Sequence, residues 1–180
     1  YEATDDSNPY FSFDPSKCIV CSRCVRACDE VQGTFALTIE GRGFNSKVSA
    51  SIGEKFLDSE CVSCGACVQA CPTATLMEKT IIDHGQPEHS VLTTCAYCGV
   101  GCTMYLNVKG NRVVKVTSKT GSIPNDGNLC VKGRFGFDFI HHPDRIKQPL
   151  IKKNGKFEEA TWDEALDLVA AKLGEIKAKY

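Results

Sequence analysis

The chain has 180 residues, of which 42% are hydrophobic, 21 are basic and 22 are acidic. This near-neutral balance, without runs of like charge, argues against a nucleic-acid partner or an anionic membrane surface. No stretch of 18 apolar residues and no signal-peptide pattern occurs, so no membrane segment is predicted.

Residues 1–16 form a polar lead-in. The run Asp5-Asp6-Ser7-Asn8-Pro9 is rich in turn-forming residues, and we expect residues 1–8 to be disordered. The run that follows, Tyr10-Phe11-Ser12-Phe13, is aromatic, and its rings are expected to cover the first set of cysteines.

The first two cysteine sets repeat one spacing, C-x2-C-x2-C-x3-C. Their members are Cys18, Cys21, Cys24 and Cys28, followed 43 positions later by Cys61, Cys64, Cys67 and Cys71. Disulfide frameworks rarely use so compact a run twice, and zinc sites usually consist of two separated C-x2-C pairs. The run is typical of bacterial two-cluster ferredoxins, so each set is predicted to bind a [4Fe–4S] cluster. Oxygen-sensitive clusters and free thiolates favour a reducing compartment, and therefore the cytoplasm.

The fourth cysteine of each run is predicted to bind the cluster of the other run. The x3 step carries that cysteine onto the following helix, which points it away from its own loop. Cluster 1 then has the ligands Cys18, Cys21, Cys24 and Cys71, and cluster 2 has the ligands Cys61, Cys64, Cys67 and Cys28. The duplication predicts a domain with pseudo-two-fold symmetry over residues 17–80.

The two halves of this duplication differ at matching positions. Gly65 is expected to let backbone amides approach the sulfur atoms, whereas the first half has Ser22 there. Pro72 follows Cys71, whereas Asp29 occupies the matching place in the first half. These differences predict unequal reduction potentials for the two clusters.

Short elements are predicted around the two runs: helices near 25–32 and 68–71, and strands at 35–39, 47–51 and 55–57. Residues 81–90 contain Gly and Pro and are predicted to be a linker. His84 and His89, both within it, are predicted to be solvated loop residues, because every cluster already has four cysteines.

The third cysteine set has a different spacing, Cys95-x2-Cys98-x3-Cys102, with Cys130 arriving 28 positions later. Residues 103–108 and 113–117 alternate as the strands of a hairpin, and a short helix is predicted near 133–140. Cysteines brought together across the hairpin would make a closed four-thiolate site. On spacing alone this site suits either an iron–sulfur cluster or zinc.

The last segment contains an extended stretch, a turn at Asn154-Gly155 and a helix. Thr161 and Glu164 form a capping box at the start of the helix. Apolar residues recur along it at helical spacing: Trp162, Ala165, Leu166, Val169, Leu173 and Ile176. Little of the chain is left to cover this stripe, so we expect it to dock on sequence outside this chain.

The segment from Leu92 onward resembles the amino-terminal part of the molybdenum/tungsten bis-pterin oxidoreductases, and formate dehydrogenases most of all. The likeness lies in TCAYCGVGC at 94–102, LCVKGR at 129–134 and TWDEA at 161–165. Residues 10–90 resemble the two-cluster ferredoxin domain fused ahead of that part in soluble, NAD(P)-linked formate dehydrogenase catalytic (alpha) subunits. CIVC at 18–21, VQG at 31–33 and SECVSCG at 59–65 carry this second likeness.

The resemblance implies a third [4Fe–4S] cluster, with ligands Cys95, Cys98, Cys102 and Cys130. It implies that Lys132 lies between this cluster and a pterin of a Mo- or W-bis(molybdopterin guanine dinucleotide) cofactor, where its ammonium donates a hydrogen bond and supports electron transfer. It also implies that the segment has no catalytic residue, because the family's metal-ligating Cys or selenocysteine lies downstream. The implied partners are electron-transfer subunits that carry flavin or iron–sulfur clusters and are linked to NAD(P), ferredoxin or a hydrogenase.

The predicted fold class is α+β: a two-cluster bacterial ferredoxin-like domain, a small β-hairpin-containing [4Fe–4S] domain and the start of a larger α/β catalytic domain. The predicted divisions are a lead-in at 1–16, the ferredoxin-like domain at 17–80, a linker at 81–90, the third-cluster domain at 91–147 and the start of the molybdopterin domain at 148–180. The predicted function is electron relay through three clusters within a formate dehydrogenase or CO2 reductase, which is an oxidoreductase.

Two alternatives stay open. One is a free-standing polyferredoxin that carries electrons without a catalytic domain. The other is the equivalent segment of a different bis-pterin oxidoreductase, or of a complex I-like or hydrogenase-associated subunit.

Overall fold

The computed structural model describes residues 3–180, which divide into two compact units that meet in sequence at Ile140 and His141. The strands of the first unit are β1 Phe11–Phe13, β2 Leu37–Glu40, β3 Lys47–Ala50, β4 Leu76–Glu78, β5 His89–Thr94, β6 Thr103–Lys109 and β7 Arg112–Ser118. Its α-helices are α1 Arg23–Arg26, α2 Ala66–Ala70, α3 Lys79–His84 and α4 Val131–Phe135. Helix α1 continues as a wider helical turn over Ala27–Val31.

The duplicated part of the first unit contains two small antiparallel sheets, β1 with β4 and β2 with β3. Helices α1 and α2 begin at matching places of the two cysteine runs, directly after Ser22 and Gly65. Both of these preceding residues have left-handed backbone, with φ of 62° at Ser22 and 71° at Gly65. The duplicated sequence therefore folds into two matching loop–helix segments, as its spacing predicts.

The lead-in differs from its prediction. Its backbone pairs with β1 between Asp5 and Phe13, with N–H to carbonyl distances of 2.8 and 2.9 Å. The Asp5 carboxylate accepts a hydrogen bond from the Phe56 N–H at 2.8 Å, and Asn8 is buried. The disorder expected at 1–8 is therefore wrong for residues 3–8, because their polar groups have partners in the fold. Residues 1 and 2 lie outside the described residues.

The strand expected at 55–57 is instead a 3-10 turn, Phe56–Asp58. Phe56 is buried and packs edge-on against Phe11, with ring centroids 5.0 Å apart, whereas Leu57 is exposed. The predicted strand is therefore wrong: Phe56 is buried and the neighbouring Leu57 is exposed, and the two lie in a turn.

The remainder of the first unit is a three-stranded antiparallel sheet in the order β5–β6–β7. The predicted hairpin is present as β6 and β7, and β5 adds a strand on the other side of β6. Residues 81–90, expected to be a linker, instead contain most of α3 and the start of β5. Ile81 of α3 is buried, and α3 packs near β7, so this stretch connects the two parts as structured chain.

The second unit consists of a hairpin, β8 Leu150–Lys153 and β9 Lys156–Glu159, followed by helix α5 Trp162–Lys179. The predicted capping box is confirmed: the Glu164 N–H donates to Thr161 Oγ1 at 3.2 Å, and the Thr161 N–H donates to Glu164 Oε2 at 2.8 Å. The apolar stripe of α5 is exposed except for the half-buried Ala165, and its exposed members include Trp162 and Leu173. None of the helices within residues 3–180 has both the length and the apolar character that a bilayer crossing requires.

Candidate metal centres

The first two cysteine sets line two separate cavities, and each cavity combines members of both runs. One cavity is lined by Cys18, Cys21, Cys24 and Cys71, and the other by Cys28, Cys61, Cys64 and Cys67. This grouping agrees with the predicted exchange of fourth cysteines, while ligation itself stays a prediction. The other lining residues are largely apolar, as in Val48 and Leu76 of the first cavity and Ala36 and Leu37 of the second.

Matching backbone amides point at sulfur in the two loops. The Val20 N–H donates to Cys18 Sγ at 3.4 Å, and the Ser63 N–H donates to Cys61 Sγ at 3.4 Å. Val20 and Ser63 have almost the same left-handed φ, 51° and 52°. Hydrogen bonds of this kind stabilise a thiolate, so the strained loops prepare both sites for a cation or a cluster.

Burial raises the pKa of several thiols in these two sets, among them Cys24 and Cys67. Burial, followed by the nearby Cys18 thiolate, raises the pKa of Cys24 to about 11. Burial likewise raises the pKa of Cys67 well above its ordinary value. A metal binds the thiolate form, so loading of either cavity must release protons.

Cys71 has a different environment from the other members of its cavity. Burial raises its pKa, but hydrogen bonds from the Leu76 and Thr73 backbone N–H groups outweigh that effect and lower it overall. The Thr73 hydroxyl lies 3.8 Å from Cys71 Sγ. The turn through Pro72 therefore surrounds this sulfur with donors, and a Pro–Thr sequence after a ligand cysteine could have indicated it.

Gly65 has a role beyond the one its sequence position predicts. A Cβ atom at this residue would lie 2.8 Å from Arg134 Cγ and 2.9 Å from Phe135 Cζ. The φ of 71° also favours glycine, although Ser22 adopts a similar angle in the first half. The absence of a side chain at Gly65 thus lets α4 pack directly on the second cysteine loop.

The third set is gathered at one end of the three-stranded sheet. The Cys95 N–H donates to the Cys102 carbonyl at 2.8 Å, which closes the loop that carries the first three cysteines. Asn125 connects the long loop before Cys130 to β6, since its Oδ1 accepts from the Thr103 N–H at 2.8 Å. Its Nδ2 donates to the Asn128 carbonyl at 2.7 Å, which orders the approach to Cys130.

The four cysteines of this set are close enough to influence one another. Partial burial, and then the other three thiolates of the set, raise the pKa of Cys102. Cys98 and Cys130 are exposed on this chain, unlike the buried Cys24 and Cys67. The third set therefore lies at a surface of the first unit.

The arrangement of the cysteines can be compared with the one that a single zinc ion needs. Four sulfurs at 2.3 Å from one zinc ion would lie about 3.8 Å apart. Within residues 3–180, no three His, Cys, Asp or Glu side chains converge closely enough to hold a single metal ion. In the first two sets, four cysteines around a largely apolar cavity fit an iron–sulfur cluster.

Arg134 was not among the residues predicted to matter, yet it connects the second and third sets. It is only 1% exposed, and its Nε donates to the Cys64 carbonyl at 3.2 Å. Its NH1 donates to the Val116 carbonyl of β7 at 3.1 Å and also to Gln69 Oε1 of α2. A guanidinium buried next to the Cys64 loop places a fixed positive charge there.

Glu78 is a second buried charge that the sequence did not reveal. It is 1% exposed, and neither carboxylate oxygen accepts a hydrogen bond from any of residues 3–180. Lys115 Nζ lies 3.7 Å from its Oε1, an ion-pair distance that is too long for a hydrogen bond. Burial raises the pKa of Glu78 to about 7, although Lys115 and then Arg134 oppose that effect.

Two aromatic residues of the lead-in, Phe11 and Tyr10, do not cover the first set as predicted. Phe11 lines the cavity of Cys28 and the second run instead. Tyr10 stacks on Phe135 of α4 with ring centroids 4.7 Å apart and planes 3° from parallel. Phe135 itself belongs to the hydrophobic core that contains Phe11, so one core joins the duplicated part to α4.

Lys132 lies on the first turn of α4, two residues after Cys130, and its side chain is exposed. His84 and His89 are both exposed, as predicted, but they lie on α3 and at the start of β5 and not in a loop. Their place outside the metal sites stays a prediction.

Three family matches cover most of the chain. Residues 17–75 match the 4Fe-4S dicluster domain, residues 88–142 match the molybdopterin oxidoreductase Fe4S4 domain, and residues 145–180 match the molybdopterin oxidoreductase family. The chain belongs to the molybdopterin oxidoreductases. It contains the iron–sulfur electron-transfer domains of such an enzyme and the beginning of its molybdopterin domain, and the mixed helix and strand content agrees with the predicted fold class.

Several curated proteins are similar to this molybdopterin oxidoreductase segment over almost its full length. It is 35% identical to "Putative formate dehydrogenase YrhE" of Bacillus subtilis, with 99% of this chain and 22% of that protein covered. It is 34% identical to "NADPH-Fe(3+) oxidoreductase subunit alpha" of Geobacter sulfurreducens, with 96% of this chain and 20% of that protein covered. The chain thus spans about a fifth of the length of the curated relatives it matches.

Proposed function

We propose that this chain is the electron-relay region of a formate dehydrogenase or CO2 reductase and that it binds three [4Fe–4S] clusters. The observation that carries the proposal is the pair of four-cysteine cavities, each of which takes one cysteine from the other run. The name of the Bacillus relative supports formate as the substrate of the whole enzyme.

Each proposed cluster has four cysteine ligands: Cys18, Cys21, Cys24 and Cys71 for cluster 1; Cys61, Cys64, Cys67 and Cys28 for cluster 2; Cys95, Cys98, Cys102 and Cys130 for cluster 3. The bound clusters supply sites that accept one electron at a time. The chain supplies the thiolates, the N–H donors to sulfur and apolar walls that exclude water. These contributions set the stability and the potential of each site.

Cluster 3 is proposed to be the end nearest the molybdopterin cofactor, a bis(molybdopterin guanine dinucleotide) with Mo or W. Its ligands Cys98 and Cys130 are exposed on this chain, which supports a further part of the enzyme covering them. Lys132 is exposed on the adjoining helical turn and, by its resemblance to the family, donates a hydrogen bond to a pterin there.

The packing of α4 supports an order for the relay. Arg134 and Phe135 of α4 contact the Cys64–Gly65 loop, only a few residues along the chain from the third set. Cluster 3 is therefore the proposed neighbour of cluster 2, and cluster 1 is the proposed exit. Formate oxidation would use the three sites in the order 3, 2, 1, and CO2 reduction would use the reverse order.

The proposed partner is an electron-transfer subunit that carries flavin or further iron–sulfur clusters and is linked to NAD(P), ferredoxin or a hydrogenase. The Geobacter relative is named as a subunit of an NADPH-dependent enzyme, which supports a multi-subunit assembly. Clusters on free thiolates also favour a cytoplasmic location.

A second candidate is suggested by the same relative. Its name describes oxidoreduction between NADPH and ferric iron, so this chain would then serve an enzyme with that activity in place of formate oxidation. A polyferredoxin carrier or a complex I-like subunit is less well supported, because residues 145–180 match the molybdopterin oxidoreductase family.

The reaction is tested by anaerobic reduction of the purified enzyme with formate, followed by low-temperature EPR. We expect formate to reduce the same three clusters that dithionite reduces. If dithionite reduces all three while formate reduces none, the relay stands and the formate assignment is rejected. If dithionite reveals only two clusters, the three-cluster relay is rejected.

A further inference from the structure

A buried carboxylate lies where the duplicated part meets the three-stranded sheet. Glu78 is on β4, and its side chain is among the largest that are fully buried. Both of its oxygen atoms lack a hydrogen-bond donor within the described part of the chain. A buried carboxylate without donors is costly in its charged form, so this group is poised to bind a proton.

The charged groups around Glu78 come from two other elements. Lys115 of β7 lies 3.7 Å away, and Arg134 of α4 is close enough to influence it. Opposite Glu78 on β1 is the apolar Phe11, and α2 adds no ionisable group except the Cys67 thiol. From α3, Lys79 directs its ammonium to the carbonyls of Asp6 and Asn8, whereas Asp83 and His84 are exposed.

Arg134 connects this carboxylate to the second cysteine cavity. Its guanidinium donates a hydrogen bond to the Cys64 carbonyl. Its pKa is also influenced by the charges of Glu78, Cys64 and Cys67. An electron added to a cluster in that cavity would place a negative charge close to the same guanidinium whose charge acts on Glu78. At low dielectric such a charge raises the affinity of a nearby carboxylate for a proton.

We propose that Glu78 takes up one proton when the cluster held by Cys28, Cys61, Cys64 and Cys67 gains one electron. The inference rests on the proposed function, because it requires a cluster in that cavity. The electron comes from reduced cluster 3 or from added dithionite, and the proton comes from water. The proton forms an O–H bond on the Glu78 carboxylate, so the buried region gains no net charge.

Lys115 provides the contact between Glu78 and solvent. Its side chain is 25% exposed while Glu78 is 1% exposed, so its ammonium group reaches from the carboxylate toward water. The raised pKa of Glu78, about 7, means that its carboxyl gains or loses a proton near neutral pH. The electron and the proton would thus use different routes to the same buried region.

The test is a redox titration of the anaerobically purified, cluster-loaded protein, followed by EPR at several pH values on both sides of 7. We expect the midpoint potential of cluster 2 to fall as pH rises and then to level off. In Glu78→Gln, which has a side chain of the same shape and no titrating group, the potential should not vary with pH over this range. Glu54→Gln removes an exposed carboxylate from the same part and should keep the slope of the parent protein.

Infrared difference spectroscopy gives an independent readout. The reduced-minus-oxidised spectrum should show a new carboxylic acid C=O band that shifts in D2O and is lost in Glu78→Gln. A pH slope that persists in Glu78→Gln, with the cluster 2 signal intact, would overturn the inference and leave the proposed function standing. A protein that is folded and iron-loaded but has no cluster 2 signal would overturn both.

Discussion

Arg134 Nε donates a hydrogen bond to the Cys64 carbonyl oxygen at 3.2 Å. This bond joins two parts of the chain that are 70 residues apart in sequence and that belong to different cysteine sets. Phe135 follows it into the core of the duplicated part. The second and third cysteine sets are therefore held together by packed, buried residues.

Replacement of Arg134 should weaken both the fold and the potential of cluster 2. Arg134→Met leaves the Cys64 and Val116 carbonyls without their donor, and we expect a loss of about 2–4 kcal/mol in the free energy of unfolding. Loss of the positive charge should also lower the midpoint potential of cluster 2, since the reduced state is less stabilised. Guanidinium unfolding and EPR-monitored titration measure the two effects.

Arg42→Met is the matched control for that variant, because Arg42 is exposed and lies in the connection between β2 and β3. It should change neither quantity appreciably. A folded Arg134→Met protein with an unchanged cluster 2 potential would contradict the electrostatic role of Arg134.

Substitution of Gly65 should be more damaging than substitution at the matching position of the first half. Gly65→Ala places a Cβ within 2.9 Å of both Arg134 and Phe135 and strains a backbone φ of 71°. We expect a cost of about 1–3 kcal/mol. Ser22→Ala, at a φ of 62°, should cost much less, because that position already accommodates a Cβ. Equal losses of stability in the two variants would argue against the close contact with α4.

Because the fourth cysteine of each run lines the cavity of the other run, its replacement should affect the cluster of the other run. Cys71→Ser should damage the cluster bound by the first run, and Cys28→Ser should damage the one bound by the second run, because each cysteine lines the cavity of the other run. EPR of the two reduced variants, with the cluster 3 signal as internal control, distinguishes the signals. If each variant loses the cluster of its own run, the assignment of ligands is wrong.

Protonation of Glu78 should make stability depend on pH. Its pKa is raised from 4.5 to about 7 in the folded protein, so the folded state binds more protons between these values. Stability should therefore fall as pH rises from 4.5 toward 7 and then stay level, with a total change of about 3 kcal/mol. Glu78→Gln should be more stable than the parent above pH 7.

The gap between Glu78→Gln and the parent protein should narrow below about pH 7, where the parent carboxyl is protonated. Anaerobic guanidinium unfolding at a series of pH values measures this gap, and Glu54→Gln should show none. A gap that does not change with pH would mean that Glu78 does not titrate in this window.

Local sequence patterns predicted much of the fold. The repeated spacing of Cys18–Cys28 and Cys61–Cys71 indicated the matching loops, and Thr161 with Glu164 indicated the start of α5, because each of these signals acts over a few neighbouring residues. The β6–β7 hairpin followed from its alternating apolar residues.

Contacts between distant residues were beyond the reach of those patterns. Arg134 and Glu78 are charged and would ordinarily be exposed, and only the assembled fold shows that α4, β4 and β7 enclose them. The lead-in was predicted to be disordered because its polar sequence does not reveal the partners of its polar groups. One such partner, Phe56, lies some 50 positions away. Residues 81–90, predicted to be a linker, likewise contribute to α3 and β5. Ile81 is buried, and β5 pairs with β6.

The central claim is that three four-cysteine sets each bind a [4Fe–4S] cluster. The most direct measurement is the amount of iron, acid-labile sulfide and zinc per chain in anaerobically purified protein. The account predicts about 12 iron and about 12 sulfide, with no zinc. About 8 iron together with one zinc would contradict it, because the third set would then be a zinc site and could not pass electrons to the other two.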